Sequence, residues 1–240
     1  MTSRVQKIGL IGGLSWVSTA AYYRRLNELA QEHLGGVASA RIALESVNRQ
    51  DYVDAVIERS DEGAACEQIR EAARALERAG ADFLVIACND VHRFVPDIVP
   101  SVAIPFLHIA NVTAEAACAA GCRTIGLIGV RKTMEGEFYP NAFDSYGLRT
   151  LVPDGAERAF VHDTIYSELT QNVFADRTRA GYLRVIDALA ERGADSVALA
   201  CTEIPLLIRP GDAAVPTFDT TELHCRAALD RALGPLGNER

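Results

Sequence analysis

Two cysteines at the ends of matching segments are the residues of this chain best suited to do chemistry. Cys88 ends the run Gly-Ala-Asp-Phe-Leu-Val-Ile-Ala-Cys, and Cys201 ends Gly-Ala-Asp-Ser-Val-Ala-Leu-Ala-Cys, so Gly, Ala, Asp, Ala and Cys recur at one constant separation. Each thiol follows a short apolar run that is typical of a buried strand. A lone cysteine in such a place is more often a small buried apolar residue. The matched pair instead indicates two similar halves with a shared function.

A catalytic thiol has to be activated by its surroundings. At its ordinary pKa of about 8.5, a cysteine is only about 3% thiolate at pH 7, so polar donors or helix N-termini must lower one pKa. Asn89 and Thr202 directly follow the two cysteines and are candidate donors, together with backbone N–H groups. Asp90 and Glu203 come one residue later, so a carboxylate follows each thiol.

Two further features near the cysteines could take part. His92 follows Cys88 by four residues, where it either orients the thiol as in a Cys–His pair or packs locally. The glycine-rich turn at 12–15 fits neither phosphate-binding glycine motif, but its N–H groups could hold a carboxylate.

The elements that must position these residues follow an α/β pattern, with short apolar runs alternating with longer segments of helical period. The pattern predicts strands over 5–11, 41–47, 83–87, 102–107 and 124–128, and helices over 18–34, 61–79 and 109–120. Ligands of open α/β sheets bind beyond the carboxyl ends of the strands, which is where both cysteines fall. If the two halves face each other across a cleft, the thiols form a pseudosymmetric pair.

Composition and charge exclude several classes of protein. Of the 240 residues, 49% are hydrophobic and 23% charged, as in ordinary globular proteins. The 32 Asp and Glu outnumber the 24 Lys and Arg, and no basic run exceeds two residues, so neither nucleic acid nor an anionic membrane is expected as a partner. No apolar run approaches the ~20 residues of a membrane helix. Six scattered cysteines predict a reducing, cytoplasmic setting.

The residues also argue against common cofactors. Cys118-x-x-x-Cys122 has no partner pair at zinc-site spacing, so no metal is expected. A pyridoxal-phosphate (PLP) enzyme needs a Schiff-base lysine, and the chain has only Lys7, at the head of a strand, and Lys132.

Five blocks of sequence, in order along the chain, share one resemblance. They are Ile-Gly-Leu-Ile-Gly-Gly-Leu-Ser-Trp at 8–16, Cys88-Asn89-x-x-His92, Thr133-Met-Glu-x-x-Phe-Tyr, Cys201-Thr202-Glu203-Ile-Pro-Leu-Leu and Pro216-x-Phe-Asp-Thr. Together they span nearly the whole chain and resemble the aspartate/glutamate racemase family.

The resemblance implies an isomerase that racemises amino acids without PLP or any other cofactor. It implies two similar α/β domains, each a mostly parallel sheet flanked by helices, with the active site in the cleft between them. Residues 1–107 with the returning segment 212–240 would form the first domain, and residues 108–211 the second. In this family one cysteine thiolate removes the α-proton while the opposite thiol protonates the other face, as inversion requires.

Carried over residue by residue, the resemblance makes Cys88 and Cys201 the catalytic pair, with Asp90, His92 and Glu203 as candidate support. The residues predicted to bind substrate are Gly13, Leu14, Ser15, Arg49, Asn89, Thr133 and Thr202. The expected ligand is a small amino acid or dicarboxylate, and the expected assembly is a homodimer.

Two positions depart from the family pattern. Asp90 stands where the family usually has threonine, and it would raise the thiol pKa if close, repel an acidic substrate, or relay a proton to His92. Phe160 stands where relatives with acidic substrates often have a lysine that pairs with the side-chain carboxylate. Arg49 is the remaining candidate for that pairing, and an exposed surface arginine is the alternative interpretation.

Two other functions stay open at this point. The same scaffold could isomerise or decarboxylate a small dicarboxylate through a carbanion, with one cysteine in a different role. It could also be a protein that binds a small molecule but no longer catalyses a reaction, although the presence of both cysteines argues against this.

Overall fold

The structure, a computed structural model, describes residues 4–234. The chain divides into two compact units, Met1–His108 with His224–Arg240 and Ile109–Leu223. Each unit is built on one parallel sheet flanked by helices, so the predicted α/β fold class is confirmed. The ends of the predicted first domain, 1–3 and 235–240, lie outside the described residues.

The strands are β1 (Ile8–Gly12), β2 (Ile42–Ser46), β3 (Phe83–Ile86), β4 (Thr124–Gly129), β5 (Arg149–Leu151), β6 (Ser196–Ala200) and β7 (Thr217–Asp219). The α-helices are α1 (Trp16–Leu34), α2 (Arg49–Val53), α3 (Glu62–Arg78), α4 (Val95–Ile98), α5 (Ile109–Ala119), α6 (Arg131–Glu135), α7 (Phe138–Ser145), α8 (Gly155–Ser167), α9 (Asp176–Glu191), α10 (Ile204–Leu207) and α11 (Thr220–Leu233). Short 3₁₀ turns cover Asp90–Phe94, Val99–Ser101 and Leu169–Gln171, and a π turn covers Asp54–Glu58.

The first sheet has the strand order β2-β1-β3, and helices cover both of its faces. Side chains alternate along a strand, so Ile8 and Leu10 of β1 face one layer and Ile11 faces the other. Helix α3 covers the Ile11 face. On the opposite face, Leu26 of α1 and Leu229 of α11 pack in one core with Ile8 and Leu10. Helix α11 therefore completes the core of the first unit.

The second sheet, in the order β5-β4-β6-β7, repeats this arrangement. Its central strand β4 carries the same Ile-Gly-Leu-Ile-Gly sequence as β1. Ile125 and Leu127 pack with α5 and α7, whereas Ile128 packs with α8 and α9 on the other face. The internal sequence match thus corresponds to two similarly built units.

The recurring aspartate of the Gly-Ala-Asp segments accepts backbone hydrogen bonds at the start of the central strand in both units. Asp82 Oδ2 accepts the N–H of Lys7, just before β1, at 2.6 Å. Asp195 Oδ2 accepts the N–H groups of Arg123 and Thr124, at the start of β4, at 2.7 and 3.2 Å. Each carboxylate therefore ties the start of a central strand to the segment that leads into the neighbouring strand.

The strand predicted over 102–107 is wrong. Phe106 makes one isolated parallel bridge with Leu84, flanked by hydrogen bonds from Leu84 N to Pro105 O (2.9 Å) and from Leu107 N to Leu84 O (2.8 Å). Proline has no N–H to donate to a ladder, so the pairing does not extend into a strand.

Residues 212–223 lie in the second unit, whereas the sequence analysis places them with the first domain. The reason is β7, which pairs with β6 so that Phe218 is opposite Ala198. The return to the first unit begins only at His224, inside α11.

Neither a metal cluster nor a membrane span is found between residues 4 and 234. No group of three or more His, Cys, Asp or Glu side chains in this part of the chain is arranged to hold a metal ion. No helix in it is both long enough and apolar enough to cross a bilayer.

Candidate active site

The carboxyl ends of β1, β2 and β3 bring three segments to one edge of the first sheet. The N–H of Ala87 donates to the Ile11 carbonyl at 2.9 Å, which holds Cys88 beside the end of β1. The residue after β2 donates its N–H to the Gly12 carbonyl at 3.0 Å, so β2 ends at the same edge. Cys88 is half-buried and outside any disulfide, and Asn89 is buried.

The turn after β1 is fixed by the start of α1. Gly13 has a φ of 85°, and its N–H donates to Thr19 Oγ1 at 2.9 Å. The Thr19 hydroxyl donates in turn to the Ser15 carbonyl at 2.8 Å, and Ser15 Oγ caps α1 by accepting the Ser18 N–H at 3.4 Å. Leu14 is buried. The Gly13 N–H, a predicted substrate donor, is therefore already bonded within the turn.

We expect Gly13→Ala to lower the free energy of unfolding by about 2–4 kcal/mol. A Cβ on Gly13 would lie 2.0 Å from Val47 O and 2.5 Å from Val47 N, so backbone would have to move in addition to the cost of the positive φ. Gly121→Ala is the matched control, since Gly121 has a φ of 77° but nothing within 4 Å of a built Cβ, and about 1 kcal/mol is expected. Urea unfolding measures both, and equal losses would contradict the packing explanation.

His92 anchors the residues that follow Cys88. Its Nδ1 donates to the Cys88 carbonyl at 2.8 Å, and its ring lies 4.9 Å from His108 and 5.4 Å from His224 between centroids. Burial lowers the pKa of His92 well below its ordinary value, and the two neighbouring imidazoles lower it further. Nε2 is buried with no hydrogen-bond partner among the described residues. A neutral His92 is therefore expected beside Cys88 at pH 7.

The histidine neighbours of His92 were not foreseen as a cluster. His224 Nδ1 accepts from Tyr22 OH at 3.0 Å, and its Nε2 donates to the Leu107 carbonyl at 2.9 Å. Burial lowers the pKa of His224 to about 4 and also lowers that of His108. The sequence gives no local signal for this grouping, because the residues come from three distant segments.

Arg49 lies at the same edge as Cys88 but on the surface. It opens α2, which follows β2, and its side chain is exposed. Asn48 caps the helix by accepting the Gln50 N–H at 3.1 Å. The structure thus leaves Arg49 accessible to a ligand carboxylate without fixing it in place.

The second unit holds a corresponding group of residues around Cys201, after β6. Cys201 Sγ donates to Glu203 Oε2 at 3.0 Å, and Thr202 Oγ1 donates to the same oxygen at 2.7 Å. Glu203 is only 6% exposed, whereas Cys201 and Thr202 are half-buried. Thiol, hydroxyl and carboxylate therefore form one hydrogen-bonded group.

Thr133 lies close to this group, on α6 after the central strand. A Cβ on Gly129 would lie 3.2 Å from Thr133 Cγ2 and 2.7 Å from the carbonyl oxygen of Ala200, the residue before Cys201. Thr133 is fully buried, and its hydroxyl has no hydrogen-bond partner within residues 4–234. A buried hydroxyl without a partner costs free energy, which supports the predicted role of Thr133 in binding a ligand.

Residues 11–228 match the family model described as Asp/Glu/Hydantoin racemase. The chain belongs to this family. The resemblance drawn from the sequence motifs is thereby confirmed, and so is the predicted enzyme class, an isomerase of the racemase type.

Solved structures and a curated relative agree with this assignment. A crystal structure from Yersinia pestis, named as a candidate Asp/Glu racemase, is 39% identical, with a TM-score of 0.89 over 95% of this chain and 99% of its own. An aspartate racemase homologue from Pyrococcus horikoshii OT3 is 29% identical, with a TM-score of 0.83 over the same shares. The broad specificity amino-acid racemase RacX of Bacillus subtilis (strain 168) is 20% identical over 94% of this chain and 98% of its own length.

In this racemase an arginine compensates the charge of Asp90. Arg93 Nη1 lies 2.5 Å from Asp90 Oδ2, and Tyr52 OH donates to the same oxygen at 3.4 Å. Arg93 also pairs with Glu62 at 2.7 Å. Burial raises the pKa of Asp90, and the guanidinium of Arg93 opposes that rise. The carboxylate of Asp90 therefore pairs with Arg93, whereas the ring of His92 contacts those of His108 and His224. Sequence reasoning missed Tyr52 and Arg93 because neither stands in a motif.

Phe160 of the racemase packs against a glycine. A Cβ on Gly181 would lie 2.3 Å from Phe160 Cζ, and the ring centroids of Phe160 and Tyr182 are 5.8 Å apart. Burial raises the pKa of Tyr182, and the charge of Cys201 adds to that rise, so Tyr182 is within electrostatic reach of the thiol. The aromatic residue at 160 therefore belongs to a layer of rings next to the Cys201 group.

Proposed function

We propose that this racemase interconverts the enantiomers of an amino acid by two-base proton transfer between Cys88 and Cys201, without a cofactor. The observation that carries the proposal is the equivalent place of the two thiols in the two repeated units. Each thiol follows a strand that pairs with a central Ile-Gly-Leu-Ile-Gly strand, β3 with β1 and β6 with β4. Membership of a racemase family supplies the class of reaction.

The proposed steps conserve protons and electrons. The Cys88 thiolate removes the α-proton, so that the C–H bond breaks, an S–H bond forms and the electron pair moves towards the α-carboxylate. The S–H bond of Cys201 then breaks while a new C–H bond forms on the opposite face, which leaves Cys201 as thiolate. The two thiols exchange roles for the other enantiomer, as inversion requires.

Polar groups beside each thiol would bind the charged ends of the substrate. We assign Asn89, Thr202 and Thr133 to the α-carboxylate and the amino group. Donors fixed at the α-carboxylate stabilise the negative charge that develops as the proton leaves. The partnerless hydroxyl of Thr133 supports this assignment.

Aspartate and glutamate are the proposed substrates. The Yersinia and Pyrococcus structures are named for racemases of these amino acids, at 39% and 29% identity. Arg49, exposed at the edge that carries Cys88, would pair with the side-chain carboxylate in a bidentate manner. A homodimer and a cytoplasmic location accompany the proposal as predictions from the sequence.

Proton NMR in D₂O tests the proposal directly. The dialysed, reduced protein is incubated separately with L- and D-forms of Asp, Glu, Asn, Ser, Ala and Arg. We expect the α-proton signal of Asp or Glu to disappear while chiral chromatography detects the other enantiomer. The double variant Cys88→Ala/Cys201→Ala is the background control and should show neither change.

Two outcomes would refute the proposal. Full activity in the double variant would remove the cysteines from the mechanism. Loss of carbon dioxide from a dicarboxylate without inversion would indicate the decarboxylase alternative. Racemisation of Ala or Arg in preference to Asp and Glu would contradict only the proposed substrate class.

A further inference from the structure

The carboxylate of Glu203 accepts two hydrogen bonds at the end of β6. Cys201 Sγ donates at 3.0 Å and Thr202 Oγ1 at 2.7 Å, both to Oε2. Glu203 is 6% exposed, so little water competes for this oxygen. A bond from sulfur to a carboxylate oxygen requires the thiol to carry its proton, because a thiolate has nothing to donate.

The surroundings of this bond disfavour a thiolate at Cys201. An ionised Cys201 would place a negative charge 3.0 Å from Oε2 of the Glu203 carboxylate, and this proximity of like charges disfavours the thiolate. Burial raises the pKa of Tyr182 on α9, and the negative charges of Cys201 and Glu203 raise it further. The carboxylate of Glu203 therefore favours the protonated form of the Cys201 thiol.

The carboxylate that follows Cys88 is in a different situation. Asp90 Oδ2 is ion-paired with Arg93 at 2.5 Å and accepts from Tyr52 OH. The carboxylate of Asp90 is thus bonded to a cation that it shares with Glu62, whereas the carboxylate of Glu203 is bonded to the thiol of Cys201 itself. The two repeats place a carboxylate at the same sequence position but use it differently.

We propose that Glu203 holds the proton on Cys201, so that in the resting racemase Cys201 is the acid and Cys88 is the base. Glu203 is a positioning residue, because it acts through the thiol and not on the substrate. The inference rests on the proposed two-thiol mechanism for its catalytic meaning. After one turnover Cys201 is a thiolate beside Glu203, and uptake of a proton from water together with loss of the Cys88 proton restores the resting form.

Steady-state rates in the two directions cannot test this inference. The two enantiomers have equal free energy, so kcat/KM is the same in both directions whichever thiol rests protonated. The pH dependence of thiol alkylation reports the proton directly and needs no substrate.

The test follows iodoacetamide alkylation of each cysteine from pH 5 to 10 by peptide mass spectrometry. We expect Cys88 to reach half-maximal alkylation at lower pH than Cys201. Glu203→Gln keeps size and an acceptor oxygen but removes the charge, and it should increase Cys201 alkylation at pH 7 about tenfold, as a shift of about one pH unit implies. Glu203→Asp retains the charge and should restore the higher midpoint.

Internal controls are present in the same digest. Cys118 is exposed and reports reagent reactivity, whereas Cys225 is fully buried and becomes alkylated only if a variant unfolds. A Cys201 midpoint unmoved by Glu203→Gln, or a lower midpoint for Cys201 than for Cys88 in the unaltered protein, would overturn the inference. If the protein gives either result and still racemises amino acids, only the role of Glu203 is refuted, and the proposed function is unaffected.

Discussion

Cys88→Ser and Cys201→Ser are each expected to lower the rate of racemisation about a thousandfold. A serine hydroxyl is a far weaker acid than a thiol, so neither variant can supply both proton removal and delivery on the opposite face. Chiral chromatography of the reaction mixture measures the loss. Cys118→Ser, at an exposed position on α5, is the matched control and should retain the original rate.

The single variants should also differ from each other in a way that a general structural defect cannot produce. In D₂O, the thiol that remains can still remove the α-proton from the enantiomer it faces, exchange that proton with the solvent, and return a deuteron to the same face. Each variant should therefore exchange the α-proton of one enantiomer with retention, and the two variants should prefer opposite enantiomers. Exchange of the same enantiomer in both variants would refute the two-base mechanism.

Acid is expected to unfold this racemase through its buried histidines. Burial lowers the pKa of His92, His108 and His224 in the folded chain, to about 4 for His224, whereas each titrates near pH 6.5 when unfolded. Between these pKa values the unfolded chain binds more protons than the folded chain, so the free energy of unfolding rises with pH. The contribution is fully present above about pH 6.5 and is lost towards pH 4, with about 3 kcal/mol from His224 alone.

Urea unfolding at a series of pH values between 4 and 7.5 measures this effect. His224→Gln should reduce the slope of the unfolding free energy by up to about 1.4 kcal/mol per pH unit, the share of one proton. Tyr22→Phe removes the hydroxyl that donates to His224 Nδ1 but keeps the imidazole buried, so its slope should stay steep. A slope that is equally shallow in both variants would contradict the assignment to His224.

Local patterns in the sequence were sufficient to predict the fold and the ends of the strands that carry the cysteines. The Gly-Ala-Asp repeat worked as a signal because Asp82 and Asp195 make equivalent backbone contacts at the starts of β1 and β4. The strand prediction for residues 102–107 was wrong although their apolar run resembles a strand. Pro105 has no N–H to donate, so the pairing is limited to a single bridge. An apolar run does not by itself reveal how many ladder hydrogen bonds can form.

The surroundings of the thiols could not be predicted in the same way. Asp90 looked like an uncompensated charge because its partners Tyr52 and Arg93 are joined to it only by tertiary packing. The bond from Cys201 to Glu203 depends on the geometry of a short turn, which the motif Cys-Thr-Glu does not specify. Roles of the individual site residues therefore stay predictions, to be decided by the variants above.

The position of α11 has a consequence for the order of folding on the ribosome. Leu229 and its neighbours at the end of the chain pack with Ile8 and Leu10, near the beginning, in one core. The second unit lies between them in sequence and has all its strands before α11 is synthesised. The first unit therefore gains α11 only after the strands of the second unit have been synthesised, and a nascent chain stalled before α11 would lack the part of the core that Leu229 contributes against Ile8 and Leu10.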